Sequence, residues 1–203
     1  MSGVKSAADG STNAPTDVVK TAGGAAPSLA QILDAHAKME TQCGEIYVQF
    51  ATAFGGNAEL KRMWTAMALE EGGHAALVRA VSKGLVSGLL SAKPPVLPFE
   101  YVDSFGAQLR EYQRRAEEGI PLDQALQITW ELECSELDFM REMLVSASNL
   151  ASLGFPTSDD ARDKHVGRLR ELIQKHASNE ALRREVKFVS SELFRPSANS
   201  DDE

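Results

Sequence analysis

Apolar residues recur along this chain at steps of three and four, the period of an α-helix, with almost none of the alternation a strand requires. Leu60, Trp64, Met67, Glu71, His74, Val78, Val81 and Leu85 form one such stripe, and six of the eight are apolar. It predicts a helix that follows Asn57, runs to about Leu85 and turns this face to a core. A second stripe is Leu29, Leu33, His36, Glu40, Cys43, Tyr47, Phe50 and Phe54. It predicts a helix from about Ser28, a natural N-cap, to Phe54, stopped by Gly55-Gly56.

The Gly/Ser/Pro-rich run 84–98 breaks the pattern, since Pro94, Pro95 and Pro98 forbid a continuous helix. A further helix over about 99–118 shows Val102, Phe105, Leu109 and Tyr112 on one side. Gly119 ends it, and Pro121 suits the first turn of a helix to about Ser152. That helix turns Leu122, Leu126, Thr129, Glu133, Leu137, Met140 and Leu144 inward. After Gly154 and Pro156, a helix from near Ser158 carries Arg162, His165, Leu169, Leu172 and His176 on its expected inner face. A last one, over about 179–194, adds Leu182, Val186, Val189 and Leu193 as a cover.

Residues 1–27, rich in Ala, Gly, Ser and Thr, read as a disordered leader, and 196–203 as a disordered polar tail. The expected architecture is therefore one all-α domain over 28–195. It is a four-helix bundle whose second and third helices are joined by a long connection carrying an extra helix, with a C-terminal covering helix. Few aromatics and abundant Ala, Leu, Glu and Arg agree with it. The net charge of −8 offers no basic patch, so nucleic acid is not an expected partner. The two cysteines, Cys43 and Cys134, are far apart and form no zinc or disulfide framework. No apolar run reaches about 18 residues and no apolar signal core opens the chain, so neither a membrane span nor secretion is expected and the cytoplasm is the default.

The chemistry lies in the acids that interrupt the apolar stripes. Glu40, Glu71 and Glu133 each sit mid-face, and a lone buried charge costs several kcal/mol, roughly, unless it is paired or metal-bound. Glu71 and His74 stand three apart, the spacing by which four-helix carboxylate proteins present metal ligands. The segments 39–50 and 132–143 also align, Glu40 on Glu133, Glu45 on Asp138, Ile46 on Phe139 and Tyr47 on Met140. Each is followed by a helix bearing a histidine, His74 or His165, which makes an internal repeat of helix pairs.

On these residues the chain resembles the rubrerythrin branch of the ferritin-like superfamily over about 28–176. The resemblance rests on E-x6-Y-x2-FA (Glu40, Tyr47, Phe50, Ala51) and E-x2-HA (Glu71, His74, Ala75). It implies a ferritin-like bundle with Glu40, Glu71, His74, Glu133 and His165 as ligands to iron, and Tyr47 as a catalytic inner-face tyrosine beside the metal. It further implies an oxidoreductase that reacts bound iron with oxygen or peroxide, or a protein that handles iron itself. The mixed carboxylate and imidazole set suits iron or manganese better than a soft-ligand metal. Members of the family commonly pair, which implies a homodimer, while one bundle with a covering helix suits a monomer equally.

Two departures shape the expectation. The helix bearing His165 has Arg162 where the family has its glutamate, and no cysteine site for a rubredoxin-like iron is present in the sequence. Three carboxylates balance one divalent cation plus one guanidinium, so Arg162 stands where a second metal's charge would be, and of one or two ions the first is expected to be held well and the second poorly or not at all. The competing reading is a degenerate bundle that serves as a non-catalytic binding or structural module. Gly72 and Gly73, costly inside a helix, are expected to permit close helix packing or to leave room for a small oxidant. Cys43 and Cys134 read as small buried hydrophobes, and His36 and His176 as ordinary core or surface histidines.

Overall fold

The computed structural model describes residues 28–89, 99–146 and 159–192, with side chains over 28–89, 104–135 and 166–187. Among them there are six helices and no strand: α1 (Leu29–Ala53), α2 (Ala58–Val86), α3 (Phe99–Glu118), α4 (Leu122–Ser146), α5 (Asp159–His176) and α6 (Glu180–Glu192). The all-α class holds, and the helix starts fall within a residue or two of the caps that the pattern marked. The leader 1–27, the tail 196–203, the proline run and residues 147–152 lie outside the described residues. Among those described, no helix is long and apolar enough to cross a membrane.

Local chemistry sets these boundaries. Ser28 Oγ accepts from the Gln31 N–H at 3.3 Å while Gln31 Oε1 accepts from the Ser28 N–H at 2.8 Å, a reciprocal cap on α1. Asn57 Oδ1 accepts from the N–H groups of Glu59 and Leu60 at the start of α2, and Asn179 Oδ1 does the same for Ala181 and Leu182 at α6. Each such cap contributes about 1 kcal/mol. Gly119 turns the chain from α3 to α4 with φ +84°, a conformation that other residues adopt only under strain.

α1 packs chiefly against α2. The two are antiparallel: Asp34 meets Ser82, Thr41 meets Arg79, and Gly44 meets Ala68 and Glu71. α3 lies on α1, α4 touches α1 and α5, and α6 lies on α5. Trp64 anchors the core without exposure, its ring 5.4 Å from Phe50 and 5.3 Å from Phe54. Its Nε1 donates to Thr129 Oγ1 at 2.9 Å and so ties α2 to α4. Glu59, in the first turn of α2, accepts from Lys175 Nζ at 2.6 Å and lies 2.9 Å from His176 Nε2, which brings the end of α5 to α2.

Two expectations are corrected here. The buried face of α5 is Val166, Leu169 and Ile173, continued by Ala177, while Leu172 and His176 are half-buried. Over the side chains described, 166–177, the buried set is wholly apolar, whereas the expected one placed the imidazole of His176 inward. Gly72 and Gly73 are exposed, and a Cβ on either would meet nothing within 4 Å, so neither permits close packing. Gly44 does: a Cβ there would meet Ala68 O at 3.3 Å and Glu71 Cβ at 3.4 Å.

Candidate metal centre

That close approach of α1 to α2 at Gly44 brings the acids of the two helices together. Glu40 precedes Gly44 by one turn, and Glu71 stands opposite; both are about 1% exposed. His74 follows one turn after Glu71, with its Nδ1 3.1 Å from Glu71 Oε2 and 3.7 Å from Glu40 Oε2. One donor atom from each of Glu40, Glu71 and His74 lies within 4.8 Å of the other two. The imidazole is not wholly inward as its stripe predicted: its side chain is 43% exposed, so it forms the rim of the cluster above two buried carboxylates.

Glu133 is buried on α4, where its Oε1 accepts a hydrogen bond from Tyr47 Oη at 2.9 Å. Its charge is among the influences that raise the Glu71 pKa. The repeat thus places both mid-segment acids, Glu40 and Glu133, in the interior. The fifth expected ligand, His165, and its neighbour Arg162 have side chains outside the described residues, as does Met140. Cys43 is buried and Cys134 half-buried, both as thiols. His176, a seam-end histidine, belongs to the Glu59 ion pair instead.

One histidine expected as ordinary core adjoins the cluster without belonging to it. His36 is 3% exposed and brings Nε2 to 2.6 Å from Glu40 Oε1. The signal was its place one turn before Glu40 on the same stripe. Glu40 therefore has imidazoles near both of its oxygens, His36 beside Oε1 and His74 beside Oε2. Neither oxygen accepts a well-directed hydrogen bond, the 2.6 Å approach being oblique.

The electrostatics divide the two acids. Burial alone would push the Glu40 carboxyl up, but the polar contacts with His36, His74 and Glu71 outweigh it and hold the group well below the usual carboxylate range. Glu71 goes the other way: burial raises it most, and the charges of Glu133 and Glu40 add to that. Of the two carboxyls, Glu71 is therefore the one that holds its proton to higher pH, and Glu40 the one that ionises first.

These residues fit a divalent ion. Metal–ligand distances of about 2.0–2.2 Å allow donor atoms of one ion to stand at most about 4.4 Å apart. The 3.1 and 3.7 Å separations satisfy that, and the widest spacing of the group closes with a shift of a few tenths of an ångström. Two buried oxygens lacking directed hydrogen bonds are the kind of group that such an ion stabilises. A groove of about 650 Å³ also runs along the α1/α2 seam past Thr41, Gly44, Ala68, Gly72 and Arg79, but Glu40, Glu71 and His74 do not line it. No family model, no curated protein and no solved structure matches the chain.

Proposed function

We propose that the protein is a metal-binding helical bundle of the ferritin-like, rubrerythrin-related kind, holding one divalent ion between α1 and α2. Glu40, Glu71 and His74 are its ligands, Glu133 and His165 its further candidates, and iron, or manganese, is the ion that this hard donor set suits best. The observation that carries the reading is the convergence of three donor atoms within 4.8 Å around a carboxylate whose two buried oxygens lack directed hydrogen bonds.

When bound, such an ion supplies one-electron redox chemistry towards oxygen or peroxide. The chain's own residues do the rest. Glu40 enters the site already ionised, and Glu71 gives up its proton on loading. Tyr47 Oη donates to Glu133 Oε1 and so fixes one oxygen of that buried acid. Gly72 and Gly73, exposed and without side chains, stand next to His74 in the sequence, and a small oxidant would be expected to enter on this side. Cys43, one turn after Glu40, is buried with the apolar core of α1 and α4.

The alternative is a bundle that has kept its buried acids as a structural or binding module. It is favoured by the extent to which the site compensates itself: a Glu71 carboxyl that burial pushes towards its neutral form, His74 near both acids, and Tyr47 on Glu133. Metal analysis separates the two. Protein purified with ferrous iron under argon is expected to retain about one equivalent and to develop ferric–carboxylate absorption in air, and Glu71→Ala to retain none. Equal background iron in both proteins, with no absorption change, would end the metal reading and leave the module.

A further inference from the structure

We propose that His36 is a positioning residue for Glu40, confining that carboxylate to ligation through Oε2; this rests on the metal-binding reading above. His36 is buried beside the outer oxygen of Glu40, and its Nε2 is 2.6 Å from Oε1. Oε2 is the oxygen that faces His74, 3.7 Å from its Nδ1. His36 itself is not among the residues whose donor atoms gather within 4.8 Å, so it reaches Glu40 from behind the ion position.

The oblique approach does not weaken the argument. The terminal torsion of a glutamate is soft, so a rotation of the carboxylate brings Oε1 into line with the Nε2–H without moving α1. A carboxylate held in this way presents one oxygen to the ion in place of two, which lowers the coordination number and keeps a position open for a small molecule. Partners that hold a ligand from behind set metal affinity by about 10- to 100-fold. The device belongs to the α1 half alone. Thr129 occupies the matching place one turn before Glu133, and it is engaged with Trp64 and the Ala125 carbonyl.

The test uses the full chain and cobalt(II), whose visible spectrum reports coordination. Wild-type protein is expected to bind about one equivalent. His36→Leu should bind the same number about 10- to 100-fold more weakly, with a changed visible spectrum, while His36→Gln, which keeps an N–H at similar reach, restores most of both. Unfolding of the metal-free variants is followed alongside. Unchanged affinity and spectrum in His36→Leu would overturn the proposal, even if its metal-free form were less stable. A drop in stoichiometry would overturn it as well, since His36 would then be a ligand. If His36→Leu does not fold, His36→Gln decides alone, and loss of the wild-type spectrum in it counts against the proposal. Wild-type protein that binds no cobalt would instead remove the metal reading beneath it.

Discussion

Tyr47 Oη donates a 2.9 Å hydrogen bond to Glu133 Oε1, joining residues 86 apart in the chain across the α1/α4 interface. Tyr47 is fully buried and Glu133 is 6% exposed, so the bond forms where an uncompensated carboxylate is costly. The internal repeat makes the bond one-sided, because the counterpart of Tyr47 is Met140, which has no hydroxyl to offer Glu40. Glu40 lies instead beside imidazoles.

Tyr47→Phe removes this donor while keeping the ring. The expected outcome is a loss of about 1–3 kcal/mol in metal-free stability, the cost of leaving a buried acceptor without its partner. Urea unfolding at neutral pH measures it. An unchanged midpoint would mean that Glu133 finds water in place of the tyrosine.

Thr129→Val tests the other polar tie in the core. Valine fills nearly the same space but cannot accept from Trp64 Nε1, and both residues have no exposed surface. A loss of about 1–3 kcal/mol is expected from the stranded indole N–H. The fluorescence of the buried indole should shift with it, and a variant as stable as the parent would refute the α2–α4 tie.

The glycines of α2 and α1 should respond in opposite directions. Gly72→Ala and Gly73→Ala add a methyl into open space inside a helix, so each should stabilise by about 0.5–1 kcal/mol through the lower entropy of the unfolded chain. Gly44→Ala pushes a methyl against the Ala68 carbonyl and the root of Glu71, neither of which can swing aside. It should destabilise and loosen metal binding together. Thermal unfolding of the three variants checks the signs, and a stabilised Gly44→Ala would show that α1 and α2 can part without cost.

Helix caps and the inward acids were legible in the sequence for a simple reason: both are local. Ser28 and Asn57 cap with their own side chains, and Glu40 and Glu71 interrupt stripes that read within one helix. What depends on a second helix was not legible. The half-exposed rim position of His74 is set by where α1 crosses α2, as is the tight contact at Gly44, which the eye assigns to the more conspicuous Gly72-Gly73 pair. His36 had the right spacing, but a histidine on an apolar face has no visible partner until the rotamer of Glu40 is known. The α5 face was misread because two three-and-four ladders share Leu169, and only burial chooses between them.

The proton on Glu71 carries the last prediction. Its folded-state pKa is raised above 4.5, by burial first and by the charges of Glu133 and Glu40 next. Near pH 4.5 the unfolded chain begins to release this proton while the folded one keeps it, so stability falls as pH rises from there to the raised value and then levels off. Glu40 acts in the opposite window: its folded value is lowered, so its contribution is complete above pH 4.5 and is lost as pH falls below it. Glu71→Gln keeps the uncharged shape and removes the alkaline penalty. In chelator it should therefore melt above the wild type at about pH 8 and close to it at about pH 5. A bound divalent ion takes the place of the proton in the wild type, so loading should release it and tighten as pH rises. Calorimetry in two buffers of different ionisation enthalpy counts that proton. Loading without proton release, or a Glu71→Gln variant less stable than the parent at about pH 8, would mean that Glu71 is already ionised in the folded chain.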